Sequence, residues 1–282
     1  MSRPAAAQWR TSAAQVLVDD LDRPVLDGDA AHHLGRVLRL RAGASVTASD
    51  GAGGWRPCTF DGDSSLVPDG PVLHEPAPAY PVTVGFALVK GQKPELVVQK
   101  LTELGVDRIV VFSAERSVVR WDEQRAAKQF ERLDRVAREA CAQCRRLWTP
   151  TVVPGTIAEL LGRGAVAADA GGRPMRRDDH LVVVGPEGGW AQGELVTPAG
   201  EAERVALGEH VLRAETAAIT AGVLLTTLRA GLVDAVDPVP GAGGPAPGVA
   251  SPAPDVTGSS DFTQSGPVGT SSHGAAGHVD AE

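Results

Sequence analysis

The sequence predicts an α/β fold built on a parallel sheet and preceded by a small β domain, on three observations. Residues 16–75 alternate short apolar runs with Asp, Gly and Pro turns, the pattern of several short strands in a small β-barrel or sandwich. A stiff connector, Pro76-Ala77-Pro78-Ala79-Tyr80-Pro81, then leads to a strand–helix–strand unit, which requires parallel strands. Late in the chain the run 181–184 is wholly apolar, as a strand buried on both faces must be, and it stops at Gly185-Pro186-Glu187-Gly188-Gly189.

Length and charge bound what these elements can do. A chain of 282 residues holds two compact domains with appendages, and its 43% apolar content is ordinary. No stretch approaches the roughly 20 apolar residues of a membrane span, so no membrane partner is expected. The opening MSRPAAAQWRTSAAQ lacks the apolar core of a signal peptide, and three cysteines make no disulfide framework; a reduced, cytoplasmic protein is expected. The net charge of −8 is concentrated at the ends, because residues 76–235 carry 20 basic and 20 acidic side chains. A local basic surface is compatible with that distribution; a strong global pull on phosphates is not.

In chain order, residues 1–15 are Ala-rich and weakly patterned, and a frayed start is expected. Within 16–75 a helix interrupts the strands at 29–40, with Asp29 as N-cap; Leu34, Val37 and Leu38 recur at helical spacing. His33, Arg36 and Arg39 share another face, with no acid between Ala30 and Ser49, so they are either an RNA contact or a solvated helix face. The paired histidines lack further ligands at metal spacing.

After the connector 76–81, residues 82–89 read as a buried strand, 94–104 as a helix opened by Pro94 and closed by Gly105, and 108–113 as a second strand. Lys90 and Lys93 lie beyond the first strand's carboxyl end, as a phosphate contact or a solvated turn. Residues 122–147 form a long amphipathic helix whose stripe runs through Phe130, Leu133, Val136, Ala137, Ala140 and Cys141. Cys141 and Cys144 form a CxxC at a helix end rather than a helix start, which points to two free thiols. Residues 150–154 lead to a helix at 157–161, and 165–168 form a strand ended by Asp169-Ala170-Gly171-Gly172. A short apolar run, Val205-Ala206-Leu207, ends on Gly208, and VLRAET leads into a helix at 216–232. Beyond it, residues 234–282 are rich in Gly, Pro, Ser and Ala and read as a disordered tail.

Two strand-to-glycine turns and a helix start, all close together, describe the crevice where open α/β sheets bind ligands. The segment 181–221, LVVVGPEGGWAQGELVTPAGEAERVALGEHVLRAETAAITA, resembles the signature of the RsmE family of SPOUT methyltransferases. KGQKPELVVQKLTELGVD at 90–107 and, more loosely, HHLGRVLRLRAG at 32–43 also resemble that family, and the likeness covers about residues 16–233. It implies a PUA-like RNA-binding β-barrel at 16–75 and a methyltransferase domain at 82–233 with a C-terminal trefoil knot. It also implies S-adenosylmethionine as cofactor, N3 of a uridine in 16S ribosomal RNA or the small ribosomal subunit as target, and a homodimer.

The resemblance places the cofactor against Ala168, Asp169, Gly185, Pro186, Glu187, Gly188, Gly189, Leu207, Gly208, Val211, Leu212 and Ala217. RNA falls to His33, Arg36, Arg39, Lys90, Lys93 and Arg116, and to Gln143 and Arg145 at the end of the long helix. Arg213 and Glu215 are the charged groups inside the signature. Arg213 is expected to stabilise negative charge on a uracil oxygen, and Glu215 to orient it or to accept the N3 proton; a plain helix-start carboxylate is the alternative for Glu215. No metal is expected. His210 and Ala214 stand where the family usually has Arg and Thr, which leaves a catalytically weakened RNA-binding or assembly factor as the second reading. A Rossmann enzyme is disfavoured, because no GxGxxG follows 82–89, and no P-loop motif occurs.

Overall fold

The computed structural model describes residues 9–89 and 93–234. Lys90, the expected start at 1–8 and the tail beyond Asp234 lie outside the described residues. Two large sheets and a small two-stranded one make up the architecture of the described residues.

The first contains β1 (Ala14–Leu17), β2 (Ser45–Ser49), β3 (Gly54–Phe60), β4 (Leu66–Pro68) and β5 (Leu73–His74). β1 pairs with β2 in parallel, while β2–β3, β3–β4 and β3–β5 are antiparallel. The β2–β3 corner follows from Asp50, whose carboxylate accepts from the amides of Ala52 (2.7 Å) and Gly54 (2.9 Å), with Gly51 and Gly53 at positive φ. Val16, Leu34, Val46, Ala48, Cys58 and Phe60 fill the space beneath this sheet. The chain is ordered earlier than its composition suggests. Trp9 is 3% exposed and packs with Trp55 and Leu147, so the expectation of a frayed segment is corrected for residues 9–15.

The helix expected at 29–40 is shorter and irregular. Its cap is Asp27, not Asp29: the Asp27 carboxylate accepts from the Ala30 amide at 2.7 Å and α1 (Gly28–His32) begins one residue later. A π-turn, His33–Val37, comes next, and Arg39 has φ 53°. The extra residue in that turn rotates the side chains after it, so Val37 and Leu38 are exposed and only Leu34 is buried. Arg39 lies beyond the helix and does not share a face with His33 and Arg36, although all three are exposed.

The second sheet is parallel throughout, in the order β13-β9-β10-β6-β7-β8. Its strands are β6 (Thr83–Ala87), β7 (Arg108–Phe112), β8 (Thr151–Pro154), β9 (Val166–Arg173), β10 (Leu181–Val184) and β13 (Arg204–Val205); β11 (Val196–Thr197) and β12 (Gly200–Glu201) form a separate small hairpin. β6 and β10, at the centre, are buried at every position, which is why they are the most apolar runs. β8 lies at the edge, where Pro154, lacking an N–H, is tolerated.

Val84, Phe86 and Ile109 face α2 (Lys93–Leu104), α3 (Glu123–Cys144) and α5 (Ala214–Arg229); Val110, Phe112 and Val183 face α4 (Ile157–Gly162). α3 is capped by Asp122, which accepts from the Arg125 amide at 2.8 Å, and α4 by a capping box between Thr156 and Glu159. α3 ends at Cys144 rather than 147, and α5 runs from 214 to 229 rather than 216–232. Among the described residues no helix is long and apolar enough to cross a membrane.

One strand departs from its expected end. β9 continues through Asp169-Ala170-Gly171-Gly172 to Arg173, because β13 pairs with it at Ala167 and again, after a bulge, at Arg173. A Cβ on Gly172 would lie 2.5 Å from the Val205 backbone nitrogen and carbonyl carbon. The glycines there permit close approach of two backbones and do not terminate the strand.

Candidate active site

The two glycine turns and the start of α5 meet. Residues 168–170 of β9, the loop after β10 and the segment from β13 to α5 enclose one cleft of about 1130 Å³. Of the twelve positions expected against a cofactor, eleven line it; Gly188 is outside the lining and packs against Arg116, whose guanidinium donates to the Gly188 carbonyl at 3.2 Å.

The loop after β10 is fixed from several sides. Gly185 lies under Trp190, and a Cβ at that position would come 2.9 Å from the indole. The indole lies parallel to Phe112, with centroids 6.2 Å apart, and its N–H donates to the Ala168 carbonyl at 3.5 Å. Gly189 closes the turn with φ 69°, donating its amide to the Pro186 carbonyl at 2.9 Å. Glu194 accepts from the amides of Ala191 (2.9 Å) and Glu115 (2.7 Å), which ties the loop to the segment after β7. Trp190 and Glu194 were not singled out from the sequence; the tryptophan inside GPEGGW was the available signal.

The lining is divided chemically. Val184, Leu207, Leu212 and Ala217 give an apolar wall, while Asp169, Glu187 and Glu201 give carboxylates. Asp169 accepts from the Arg204 guanidinium at 2.9 Å and from the Gly171 amide at 2.9 Å. The glycine cradle and apolar wall suit a nucleoside-sized ligand, and the carboxylates beside them are paired, Asp169 and Glu201 with Arg204 and Glu187 with Lys93.

Arg213 is the N-cap residue of α5, with an extended backbone, and its exposed side chain lines the cleft beside His210. Glu215 does not line it. Its carboxylate accepts from Lys93 Nζ at 3.2 Å, and Lys93 also stands 3.7 Å from Glu187. Burial pushes the Glu215 carboxyl up, but its own backbone amide, Lys93 and Arg213 outweigh that and hold it below the usual carboxylate range. Lys93, expected at a phosphate or in a solvated turn, is placed between two carboxylates.

The other expected RNA contacts are dispersed. Arg116 lines the same cleft as Arg213. His33, Gln143 and Arg145 line a second cleft, of about 1270 Å³, between α1 and α3. Arg145 is engaged there: its guanidinium donates to Ser12 Oγ at 2.8 Å and to the carbonyls of Trp9 and Ala13, both at 3.2 Å. The three cysteines are free thiols. Burial is the main reason each is raised, Cys141 to about 11.

A family model described as an RNA methyltransferase domain matches residues 75–226, and one described as an RNA methyltransferase PUA domain matches 26–64. The chain is 34% identical over 226 residues to the ribosomal RNA small subunit methyltransferase E of Mycobacterium bovis, covering 70% of this chain and 83% of that one. The Bacillus subtilis protein of the same name is 30% identical over 224 residues, covering 70% and 86%. Among solved structures, a Neisseria gonorrhoeae ribosomal RNA small subunit methyltransferase E bound to S-adenosylmethionine superposes with TM-score 0.62 at 26% identity, over 76% of this chain and 97% of that one. A Legionella pneumophila putative methyltransferase in complex with S-adenosylmethionine gives TM-score 0.64 at 27% identity, over 77% and 97%.

Proposed function

Because the chain belongs to the ribosomal RNA small subunit methyltransferase E family, we propose that it methylates N3 of a uridine in 16S ribosomal RNA, using S-adenosylmethionine. One observation carries the reading from this chain's own residues: both late glycine turns and the LRAET bend line a single cleft. S-adenosylmethionine, when bound, supplies an electrophilic methyl group. Backbone groups at Gly185, Gly189, Leu207, Gly208 and Leu212 hold the donor, with Leu207, Leu212 and Ala217 against its apolar parts and Asp169 toward its polar ones.

The acceptor requires charge stabilisation. A uracil that loses its N3 proton spreads negative charge onto its two carbonyl oxygens, and Arg213, on the cleft wall at the start of α5, is suited to face one of them. Glu215, paired with Lys93, keeps the start of α5 in place, and the N3 proton passes to solvent water as the methyl group is transferred. Arg116, in the same cleft, and the exposed His33, Arg36 and Arg39 supply RNA contacts. The target base must leave its stack to reach the cleft.

The finer architecture belongs to the same proposal. The N-terminal sheet belongs to a PUA-like RNA-binding barrel domain, expected at 16–75 and joined by Ala14 and Gln15 of β1, and the methyltransferase domain spans 82–233. The chain after β10 forms a trefoil knot; its support is that β10 lies between β9 and β6 while the segments after β10 and after β13 wall one cleft. The protein is a cytoplasmic homodimer. Val211, 89% exposed on the cleft wall, supports a second copy there. The test is to map small-subunit rRNA for N3-methyluridine in cells with and without this gene. Loss of one modified site on deletion, restored by the purified protein with S-adenosylmethionine, is expected; an unchanged modification pattern refutes the activity.

A further inference from the structure

The corner after α3 fastens one sheet of the molecule to the other. Arg145 has φ 60°, a left-handed backbone that disfavours a side chain, and so it persists only where its surroundings hold it. Its guanidinium makes three hydrogen bonds to Trp9, Ser12 and Ala13, and Trp9 Nε1 donates back to the Arg145 carbonyl at 3.1 Å. Next to it, the carbonyl of Arg146 accepts from the buried Gln15 amide at 2.8 Å, while the Arg146 guanidinium reaches the other way to Asp107 at 2.8 Å. Two adjacent arginines thus hold opposite partners, the N-terminal sheet and the parallel sheet. The contacts continue through Gly53 N–H to the Leu147 carbonyl (2.9 Å) and Thr149 N–H to the Gly51 carbonyl (2.8 Å).

We propose that Arg145 is a positioning residue that fixes the N-terminal sheet on α3, so that RNA held by the His33–Arg39 segment presents its uridine to the methyl-transfer cleft. The inference rests on the functional reading above and replaces a direct RNA contact for this arginine. Its fork is spent on three acceptors within Trp9–Ala13, one of them the hydroxyl of Ser12, a residue only 8% exposed. A loosened sheet populates the productive orientation only part of the time, and apparent RNA affinity falls by that fraction.

The test uses the full chain with R145M and S12A, since buried Ser12 cannot touch RNA. Measured together are kcat, KM for 16S rRNA, S-adenosylmethionine binding by calorimetry, the salt dependence of RNA binding, and hydrogen exchange at residues 9–18. In R145M a KM about tenfold higher is expected. The same variant should keep its kcat, cofactor affinity and salt slope, with faster exchange at 9–18; S12A should show a smaller change in the same direction. If R145M does not fold, S12A carries the test. A salt slope reduced by about one in R145M, with S12A like wild type, would mean a phosphate contact and overturn the proposal. Unchanged KM in both variants, or unchanged exchange in R145M, also overturns it. A wild-type chain that methylates no rRNA sinks the functional reading instead, while exchange still reports on the fastening itself.

Discussion

Lys93 and Arg213 divide the charge work around the cleft. The Lys93 pair with Glu215 involves a side chain 13% exposed, whereas Glu187 is half exposed and its pair contributes little. Because the folded Glu215 carboxyl titrates below its usual range, its contribution is fully present above the unfolded value and is lost as pH falls through the folded one. K93M is therefore expected to destabilise the protein by about 0.5–1 kcal/mol at neutral pH, screening by solvent included. The gap from wild type should narrow as pH falls out of the ordinary carboxylate range and close once it is below the lowered folded value. Thermal melts from acid to neutral pH check this; a gap independent of pH would assign the loss to packing. R213A should lower turnover about 100-fold, as removal of one oriented charge donor does, with cofactor affinity held. Single-turnover methyl transfer beside calorimetry reads both, and a wild-type rate at saturating RNA would remove Arg213 from the mechanism. The residues of the signature were legible in the sequence because the chemistry is carried by backbone and glycine at fixed spacing. The partners of Lys93 were not: Glu215 lies 122 positions away, and no local pattern reports such a pair.

At the scale of elements, legibility follows burial. β6 and β10 could be read because a strand buried on both faces has no polar alternation to confuse it, and α3 because its apolar stripe is local. The π-turn at His33–Val37 left no such trace, since one extra residue changes the face of Val37 and Leu38 without changing composition. β9 outruns its sequence pattern for a different reason. Its Gly171-Gly172 reads as a turn when neighbours in sequence are considered alone, yet Gly172 is required by β13, which passes within contact of it. G172A therefore tests the element directly. Its new methyl would meet backbone rather than a movable side chain, so β13 must shift, and stability should fall by about 1–3 kcal/mol. Because β13 leads straight into Leu207 and Gly208, S-adenosylmethionine affinity should fall with it. Denaturant unfolding and calorimetry check the two effects; a stable G172A protein with full cofactor affinity would show that β13 is free to move.

For the whole molecule, three distant pieces of chain converge on one carboxylate. Asp107, at the mouth of β7, accepts from the Val82 amide at 2.8 Å where β6 begins, from Arg146 at 2.8 Å where α3 has ended, and from Arg229 at the end of α5. Arg229 also donates to the carbonyls of Gly105 (2.7 Å) and Tyr80 (3.1 Å), so the connector is drawn into the same cluster. Burial acts first on Arg146, pushing its guanidinium below the usual range, and Cys141 and Asp107 oppose that shift. In the sequence Asp107 is merely the residue before a strand, because its three partners come from segments far apart along the chain. D107N keeps the shape and removes the charge, leaving two mostly buried guanidinium groups without their anion. Breaking a buried pair in this way costs about 3–5 kcal/mol. For a folded part of this size that corresponds to a melting temperature lower by roughly 10 °C. The cluster lies away from the methyl-transfer cleft, whose lining includes none of Asp107, Arg146 or Arg229. Cofactor affinity at low temperature should accordingly survive in D107N while the melting temperature drops. If affinity fell as steeply as stability, the end of α5 would be coupled to its start, and the cluster would be part of the site rather than the fastening beneath it.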